Sequence, residues 1–565
     1  MVLLLTYWHR IRKVKCDETW PVCRRCSSTS RDCGGYGVWG GGGQVTDSLI
    51  EPTKELVNEP QSLPFGGNNN SIKCLPIILL DNAEQGCLQW YMGRSAVKLP
   101  GIFASDFWTM LLLQASATEP AVLHAVLSLA SAHREEVRGA GFLAYERNDA
   151  EAVFTVRQYS KAITSLQPSL SRPARISMRV TLITCALFVN MELLRGHYAK
   201  ALVHLRHGLS LLDNAGCNEE DQQQWSTHAD GWIITLFTRI LVQSKLLGQN
   251  LPIPSSILVS SCSELNRDRF RSIHHARRTL EHIMLRSLCI QGQSERLTTI
   301  KAVKNRTMLR ACQSRLQDDL QLWIRAHATT MMNLPTTHHS PEHLAYRLLQ
   351  MYWSMANILI SICVDPSNQM LYDNHEADFL AMLSHCIELY EFTRPGGKLS
   401  RTTAHRDPES TSPNSISDIG WIPSLYFTAY KCRNRRIRHQ ALILLGTTWH
   451  KEGIWNSGLV IPILQQIIRI EEDNYYGKFI NDDFDMLKVP TKDERALPNL
   501  PEGMRLKKVD IVLPEDKAGR LLLTCYRDQL YGAVEVINME FDLPSRQWER
   551  STTVLQNNSS FDTSS

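Results

Sequence analysis

The stretch 180–212, "VTLITCALFVNMELLRGHYAKALVHLRHGLSLL", decides the fold class, because apolar residues recur at helical spacing on both sides of a break. They are Ile176, Val180, Ile183 and Leu187 before the break, and Tyr198, Leu202, Leu205, Leu209 and Leu212 after it. Arg195 and Gly196 form the break, and Gly216 stands where a helix C-cap is expected. The stretch therefore predicts two antiparallel helices joined by a tight turn.

The same helical style continues through most of the chain. In 118–137, Thr118 is a candidate N-cap and Pro120 falls in the first turn. A 3-4-3 spacing predicts the apolar face of another helix at Val156, Tyr159, Ile163 and Leu166. Further helical runs occupy 231–247, 341–363 and 436–450, and period-two strand patterns are almost absent. The sequence predicts a mainly all-α fold.

Composition and charge exclude some classes of protein. The chain has 565 residues, 43% hydrophobic and 21% charged, which is ordinary for a globular protein. No apolar run approaches the roughly 18 residues that cross a bilayer, and "MVLLL" is shorter than the apolar core of a secretory signal. We therefore expect neither a membrane protein nor a secreted one. Eleven scattered cysteines resemble reduced packing thiols.

The net charge of +4 resides entirely in the first 33 residues. That segment has seven basic and three acidic side chains, and the remaining 532 residues sum to zero. Glycine-rich text follows at 34–43, and we interpret 34–75 as a linker without a heptad pattern for a coiled coil. A body at 76–545 and a polar tail at 546–565 complete the predicted organisation, with a further loop at 397–418. A small basic head on a neutral body is typical of a protein that meets a polyanion.

The head carries four cysteines with spacing C-x6-C-x2-C-x6-C. They are Cys16, Cys23, Cys26 and Cys33, and they lie within "RIRKVKCDETWPVCRRCSSTSRDC" (10–33). Thiolates bind zinc tetrahedrally, and cysteines two residues apart present two sulfurs to one metal. The spacing therefore predicts a zinc-binding module.

Residues 10–33 resemble the third to sixth cysteines of the six-cysteine binuclear zinc cluster of fungal transcription factors, including the basic helix and the loop proline, Pro21. Projecting the family pattern backward reaches positions 9 and 6, which hold His9 and Thr6. By resemblance, a complete cluster holds two zinc ions. One would be bound here by Cys16 and Cys23, with His9 a doubtful ligand, and the other by Cys23, Cys26 and Cys33. Neither is a closed four-ligand site.

Three interpretations of this departure remain open. The start of the sequence as read replaces a true upstream segment that carries the first two cysteines. Alternatively, the head is degenerate and no longer binds DNA well. In the third interpretation, the cysteines hold no metal and belong to a basic arm. The spacing and the basic flank together favour a metal site over the third.

The resemblance also implies how the head would read DNA. A short helix in the major groove would place Arg12 and Lys13 at base edges, where cations donate to guanine N7 and O6. Arg10, Lys15, Arg24 and Arg25 would contact phosphates. The family's usual target is a CGG triplet, single or repeated. Taken alone, "RIRKVK" favours a solvated basic face or a nuclear import signal, and import is compatible with DNA contact.

The body resembles the large helical regulatory domain of the same fungal regulators, over roughly residues 85–475. The matching blocks, in family order, are 103–133, 158–166, 180–212 and 431–455. The resemblance predicts a nuclear, sequence-specific regulator of RNA polymerase II genes that binds double-stranded DNA. Transcriptional co-regulators are further candidate partners, and the oligomeric state is open. The alternative is a regulatory or effector-sensing interaction protein with a degenerate zinc head.

Other motifs are weak. His204 and His207 are three residues apart on a helix, but no third metal ligand is evident nearby. The histidine pairs at 274–275 and 338–339 receive the same interpretation. The acidic segment 471–485 reads as a solvated loop, and Cys185, Cys217 and Cys432 read as packing thiols. No convergent catalytic set is visible, so we expect no enzyme.

Overall fold

The computed structural model describes residues 80–103, 105–139, 149–170, 175–215, 228–259, 268–296, 302–334, 340–393, 415–447, 450–477, 484–516, 518–529 and 533–557. Helices dominate these residues, which confirms the predicted mainly helical class. The first helix, α1 (Asn82–Trp90), begins at a capping box in which Asp81 Oδ1 accepts from the Glu84 amide at 2.7 Å. It continues through a π-helical turn (Tyr91–Ser95) into α2 (Ala96–Lys98).

A helical layer follows from these first turns. A π-helical turn (Phe107–Leu111) runs into α3 (Leu112–Thr118). The next helices are α4 (Pro120–Gly139), α5 (Asp149–Leu170), α6 (Arg175–Arg195) and α7 (Tyr198–Ala215). Helix α4 packs on α5 and α6, and α6 packs on α7. The predicted hairpin is confirmed, because Gly196 (φ 81°) and His197 alone separate the two helices.

Gly208 explains how closely α7 approaches its neighbours. A Cβ atom at this position would lie 2.3 Å from Cε1 of Phe237 and 3.1 Å from Sγ of Cys185. Any larger residue would push α7 away from α6 and from α8 (His228–Leu246).

The predicted face of α5 is only partly buried. Leu166 is buried and Tyr159 is half-buried, but Val156 and Ile163 are exposed. The helix instead buries Phe154, whose face carries the contact with α4. The spacing thus predicted the helix correctly and the orientation of its apolar residues incorrectly.

A second group of helices packs around Trp323. It contains α9 (Ser255–Val259), α10 (Ile273–Glu295), α11 (Ala302–Met332), α12 (Pro341–Ile362) and α13 (Glu376–Thr393). A 3-10 helix (Gln369–His375) precedes α13. Trp323 is completely buried, and its indole Nε1 donates to the Ala276 carbonyl at 2.8 Å. Helix α10 contacts both α11 and α12, so it forms the centre of this group.

The last helices are α14 (Ile422–Lys431), α15 (Arg435–Gly446) and α16 (Ser457–Glu472). A small sheet joins them, in which β1 (Ser415–Ile416) pairs with β2 (Lys451–Glu452), and β2 pairs with β3 (Trp455–Asn456). Strand β1 and buried Asp418 correct the expectation of a loop over 397–418 for its last four residues. Residues 397–414 lie outside the described part of the chain.

An antiparallel sheet ends the described chain, and it was not expected from the sequence. A short 3-10 helix (Glu502–Met504) leads into strands β4 (Lys508–Val512), β5 (Arg520–Asp528), β6 (Ala533–Asp542) and β7 (Gln547–Asn557), paired in chain order. Leu523 of β5 pairs with Met539 of β6, and both side chains are buried. Strand β7 lies in the segment 546–565, for which a polar tail was expected.

The helices and the sheet share a single hydrophobic core. One contiguous buried cluster runs from Cys87 in α1 to Phe541 in β6. The sheet therefore packs against the helical body through one face of β5 and β6. Among the described residues, no helix is long and apolar enough to span a bilayer.

Candidate functional site

All residues predicted to bind zinc or DNA lie at positions 9–33, outside the described residues. The predicted metal ligands are Cys16, Cys23, Cys26 and Cys33, with His9 in doubt. The predicted DNA contacts are Arg10, Arg12, Lys13, Lys15, Arg24 and Arg25. These assignments, and the linker at 34–75, stay predictions from the sequence.

A second arginine-rich stretch, "KCRNRRIRHQ" (431–440), belongs to the described body. Asn434 caps α15 by accepting from the Ile437 amide, so the chain turns into the helix in the middle of this stretch. Arg433 and Arg438 are nevertheless fully buried. Guanidinium groups that water does not reach are not available to a DNA phosphate, so this stretch is not a nucleic-acid surface.

Glu471, near the end of α16, holds these two arginines. Its Oε1 accepts from Arg433 Nη2 at 2.9 Å and from the Leu506 amide at 2.8 Å, and its Oε2 accepts from Arg438 Nη2. We call Glu471, Arg433 and Arg438 the Glu471 cluster. Burial opposes ionisation of Glu471, but the two arginines outweigh it and hold its pKa below the ordinary value.

The Glu471 cluster corrects the interpretation of 471–485 as a solvated loop. Glu471 is the most buried of the described residues in that segment, and Glu472 next to it pairs with His439 Nε2 at 3.0 Å. Because Leu506 leads into β4, the cluster ties α15 and α16 to the entry of the C-terminal sheet.

A second buried cluster joins α8, α10 and the segment after β1. Arg277 Nη1 donates to Asp418 Oδ2 and Arg277 Nε donates to Glu281 Oε1, both at 2.6 Å. Arg239 lies 3.8 Å from Asp418 and 3.5 Å from Glu281. We call these four residues the Asp418 cluster. Burial alone would lower the pKa of Arg277, but Asp418 and Glu281 raise it.

The Asp418 cluster borders a small cavity. Its volume is about 10 Å³, room for one water molecule and not for an organic effector. Arg239 and Glu281 both line it, and Nε of Arg239 and Oε2 of Glu281 have no hydrogen-bond partner among the described residues. Burial lowers the pKa of Arg239, and the neighbouring Arg277 lowers it further. The cluster is thus less completely satisfied than the Glu471 cluster.

Glu452 joins the small sheet to the start of α14. Its carboxylate accepts from the amides of Gly420, Trp421 and Ile422 at 2.8 to 3.0 Å, the orphan donors at that helix N-terminus. A side chain at Gly420 would collide with it, since a Cβ there would lie 2.4 Å from Glu452 Oε1. His450 Nε2 lies 2.9 Å from the same oxygen.

The described histidines and cysteines form no metal site. No group of three or more potential ligands comes together among the described residues. Nε2 of His204 lies 2.9 Å from the Tyr159 hydroxyl and bonds to it. All eight described cysteines are free, and burial raises the pKa of Cys185 and of Cys432 to about 12, as expected for packing thiols. Cys217 and His338–His339 lie outside the described residues.

Sequence reasoning missed Glu471, Asp418 and Glu452 as organising residues. Their partners are distant along the chain, with 141 positions between Arg277 and Asp418 and 38 between Arg433 and Glu471. One signal was present: several arginines interrupt apolar helical text, and a buried charge requires a partner.

Comparison with known proteins connects this body with the basic head. Residues 98–370 match the model of the fungal specific transcription factor domain, and residues 10–38 match that of the fungal Zn(2)-Cys(6) binuclear cluster domain. Both are transcription factor families and not enzyme families. No solved structure matches the chain.

Two curated proteins are similar to the chain. The Aspercryptin biosynthesis cluster-specific transcription regulator atnN of Emericella nidulans is 23% identical over 547 residues, which cover 82% of this chain and 86% of that protein. Transcription regulator lscL of Purpureocillium lilacinum is 29% identical over 210 residues, 36% of this chain and 47% of that protein. With both domains in the order expected, the chain is a DNA-binding transcription regulator of the fungal zinc-cluster class.

A Zn(2)-Cys(6) cluster holds two zinc ions. The matched segment 10–38 contains four cysteines, and none precedes it in the sequence. The donor set is therefore two thiolates short of the class, and it does not close both four-ligand sites in the class's way. Four thiolates suffice for one tetrahedral zinc.

Proposed function

We propose that the chain acts in the nucleus and recognises CGG-type triplets in double-stranded DNA through residues 10–33. The observation that carries this proposal is the coincidence, in one segment, of the zinc-cluster match and the chain's whole excess of positive charge. Arg12 and Lys13 would contact bases, and Arg10, Lys15, Arg24 and Arg25 would contact phosphates. The helical body would regulate this activity, and we expect it to have no enzymatic function.

A second candidate is a regulator that acts through its body and partners, with a degenerate head. Thr6 and His9, at the positions projected for the first two cysteines, favour it. The sequence of the 5′ end of the native transcript separates the two candidates directly. An upstream in-frame exon with C-x2-C would support direct DNA recognition, and a message that begins at Met1 would support the second candidate.

Binding of the full-length protein to a CGG-containing duplex, measured by fluorescence anisotropy at several salt concentrations, tests the proposal. A protein that neutralises about six phosphates loses roughly 10³ in affinity between 50 and 200 mM salt. Lys13→Ala should weaken specific binding more than nonspecific binding. An equal loss in both would reassign Lys13 to a phosphate, and an absence of binding to any duplex would overturn the proposal.

Zinc content supplies an independent measurement. Cys23→Ala should remove zinc and unfold the head, because by resemblance this thiolate serves both metals. The body should keep its thermal unfolding transition, because it has its own hydrophobic core. Unchanged zinc content in this variant would contradict the cluster.

A further inference from the structure

Helices α5 and α7 leave several apolar side chains on the outside of the molecule. Val153 is 62% exposed, Val156 45% and Ile163 39% on α5, and Val203 is 44% exposed on α7. On α5 the three residues are separated by three and seven positions, so they lie on one face of the helix. Single exposed apolar residues are common, whereas a row of them marks an interaction surface.

Aromatic contacts join the two helices into one surface. Tyr159 lies between Val156 and Ile163 on α5, and its hydroxyl bonds to Nε2 of His204 on α7 at 2.9 Å. Beneath them, the ring of Phe188 on α6 lies 4.4 Å from that of Tyr159 and 5.3 Å from that of His204. We call this the α5–α7 surface, formed by Val153, Val156, Tyr159 and Ile163 with Val203 and His204.

The surroundings of the α5–α7 surface are basic. Arg157 and Lys161 on α5, and Lys200 and Arg206 on α7, are exposed. Of these, Lys161 pairs with Glu84 at 2.7 Å, whereas the other three make no ion pair among the described residues. Residues 152–170 and 198–212 of the two helices contain no Asp or Glu. Apolar side chains flanked by cations are complementary to an apolar stripe flanked by carboxylates.

We propose that the α5–α7 surface docks an amphipathic helix of a partner protein, with an apolar stripe flanked by Asp and Glu. Helices bind such surfaces through anchors at i, i+3, i+4 and i+7, the spacing that matches two parallel ridges with apolar residues between them. A second copy of this chain fits less well, because two such surfaces would bring their cations together. The docking depends on the body alone, so it can fail or succeed independently of DNA binding.

The first experiment measures binding of a designed helix to the full-length protein. The probe is a fluorescent peptide of about 18 residues with Leu at 3-4-3 spacing and Glu on both flanks; its twin has Lys in place of each Glu. The acidic peptide should bind, and its affinity should fall roughly tenfold between 50 and 300 mM salt. The twin should bind at least about tenfold more weakly. Equal binding of the two peptides, or no binding of the acidic one at millimolar protein, would overturn the proposal.

Variants locate the binding. Val156→Glu together with Ile163→Glu should weaken the acidic peptide by about tenfold or more, because both apolar anchors are lost and negative charge is added. Met308→Glu with Met332→Glu is the matched control, since both methionines are exposed on α11, and it should leave binding unchanged. Lys200→Glu with Arg206→Glu should abolish the salt dependence, and Arg310→Glu should not.

Thermal unfolding and light scattering separate docking from misfolding and from self-association. All substituted side chains are exposed, so the thermal unfolding of each variant should match that of the wild type. Light scattering of the free protein reports self-association. If the wild type dimerises and Val156→Glu makes it monomeric, the surface binds a second copy and the proposal is wrong.

Discussion

The body of this regulator buries charge in two places, and the two clusters are closed to different degrees. In the Glu471 cluster one carboxylate accepts from two arginines and a backbone amide, and all three side chains are fully buried. In the Asp418 cluster two arginines share two carboxylates, and a cavity the size of a water molecule remains beside Arg239 and Glu281.

The difference concerns what a single substitution leaves behind. Glu471 alone neutralises the two buried arginines that contact it most closely, whereas Arg277 keeps Glu281 when Asp418 is removed. Breaking a buried pair costs most when it leaves an uncompensated charge. The Glu471 cluster should therefore tolerate less change, although it contains fewer charged groups.

The largest effect is expected for Glu471→Gln. It should lower the free energy of unfolding by about 3–5 kcal/mol, because Arg433 and Arg438 stay buried without their counter-charge. Urea unfolding followed by circular dichroism measures this. Glu472→Gln is the neighbouring control, and its partly exposed side chain should lose about 1 kcal/mol or less. A loss for Glu471→Gln no larger than that of the control would mean that the cluster does not hold the sheet to the helices.

The same pair of proteins has a pH signature. The arginines lower the pKa of Glu471 against the effect of burial, so its contribution is present above the unfolded pKa of about 4.3. It is lost as the pH falls through the lowered folded value. The difference in stability between the wild type and Glu471→Gln should therefore be constant from pH 7 to 5 and narrow below about pH 4.

Asp418→Asn should cost less, about 2–3 kcal/mol, because Glu281 still neutralises Arg277. The loss should appear in the same urea experiment. If it equals or exceeds that of Glu471→Gln, the two clusters are closed to the same degree and the comparison between them is wrong.

Lys431, beside the Glu471 cluster, tests whether a third cation is tolerated there. Burial lowers its pKa to about 7, with Arg433 and Arg438 lowering it and Glu471 and Glu295 opposing them. The unfolded chain binds this proton more tightly, so the lysine costs stability below pH 7 and progressively less as the pH rises toward 10. Lys431→Met should raise the free energy of unfolding by about 1–2 kcal/mol at pH 7.

The gain from Lys431→Met should shrink at pH 9.5, where the wild-type amine is neutral in both states more often. Lys488→Met, at an exposed position, should change stability little at either pH. A gain that is independent of pH would show that packing, and not charge, distinguishes the variant.

The smallest effect is expected outside both clusters. Arg347 and Glu388 pair at 2.7 Å, but both side chains reach solvent. Glu388→Gln should cost about 0.5 kcal/mol or less, because exposed pairs are screened by water. A loss comparable to that of Asp418→Asn would show that burial is not what makes the two clusters important.

The sequence predicted the helices well where a local rule sufficed. The α6–α7 hairpin follows from apolar spacing and from a glycine at the break, and both are properties of adjacent residues. It predicted the C-terminal sheet poorly, although Val534, Val536, Met539 and Phe541 of β6 are buried in nearly alternating order. In β5, three consecutive leucines hide the same alternation, because Leu522 is exposed between two buried ones.

The candidate DNA site was found from the sequence alone, since cysteine spacing and clustered cations within 24 residues identify a compact module without reference to the rest of the chain. The two clusters offered no comparable signal. The arginines at 433–438 look like those at 10–15 in composition, yet the first group is buried against Glu471 and Glu472.

The sequence by itself determined the class of regulator, the helical character of the body and the position of the basic head, because each depends on residues that are close together in the chain. Only the tertiary structure decided which charges are buried, which apolar side chains of α5 face outward and how the last strands complete the core. These depend on contacts between residues such as Arg277 and Asp418, 141 positions apart, which form only when the helices pack.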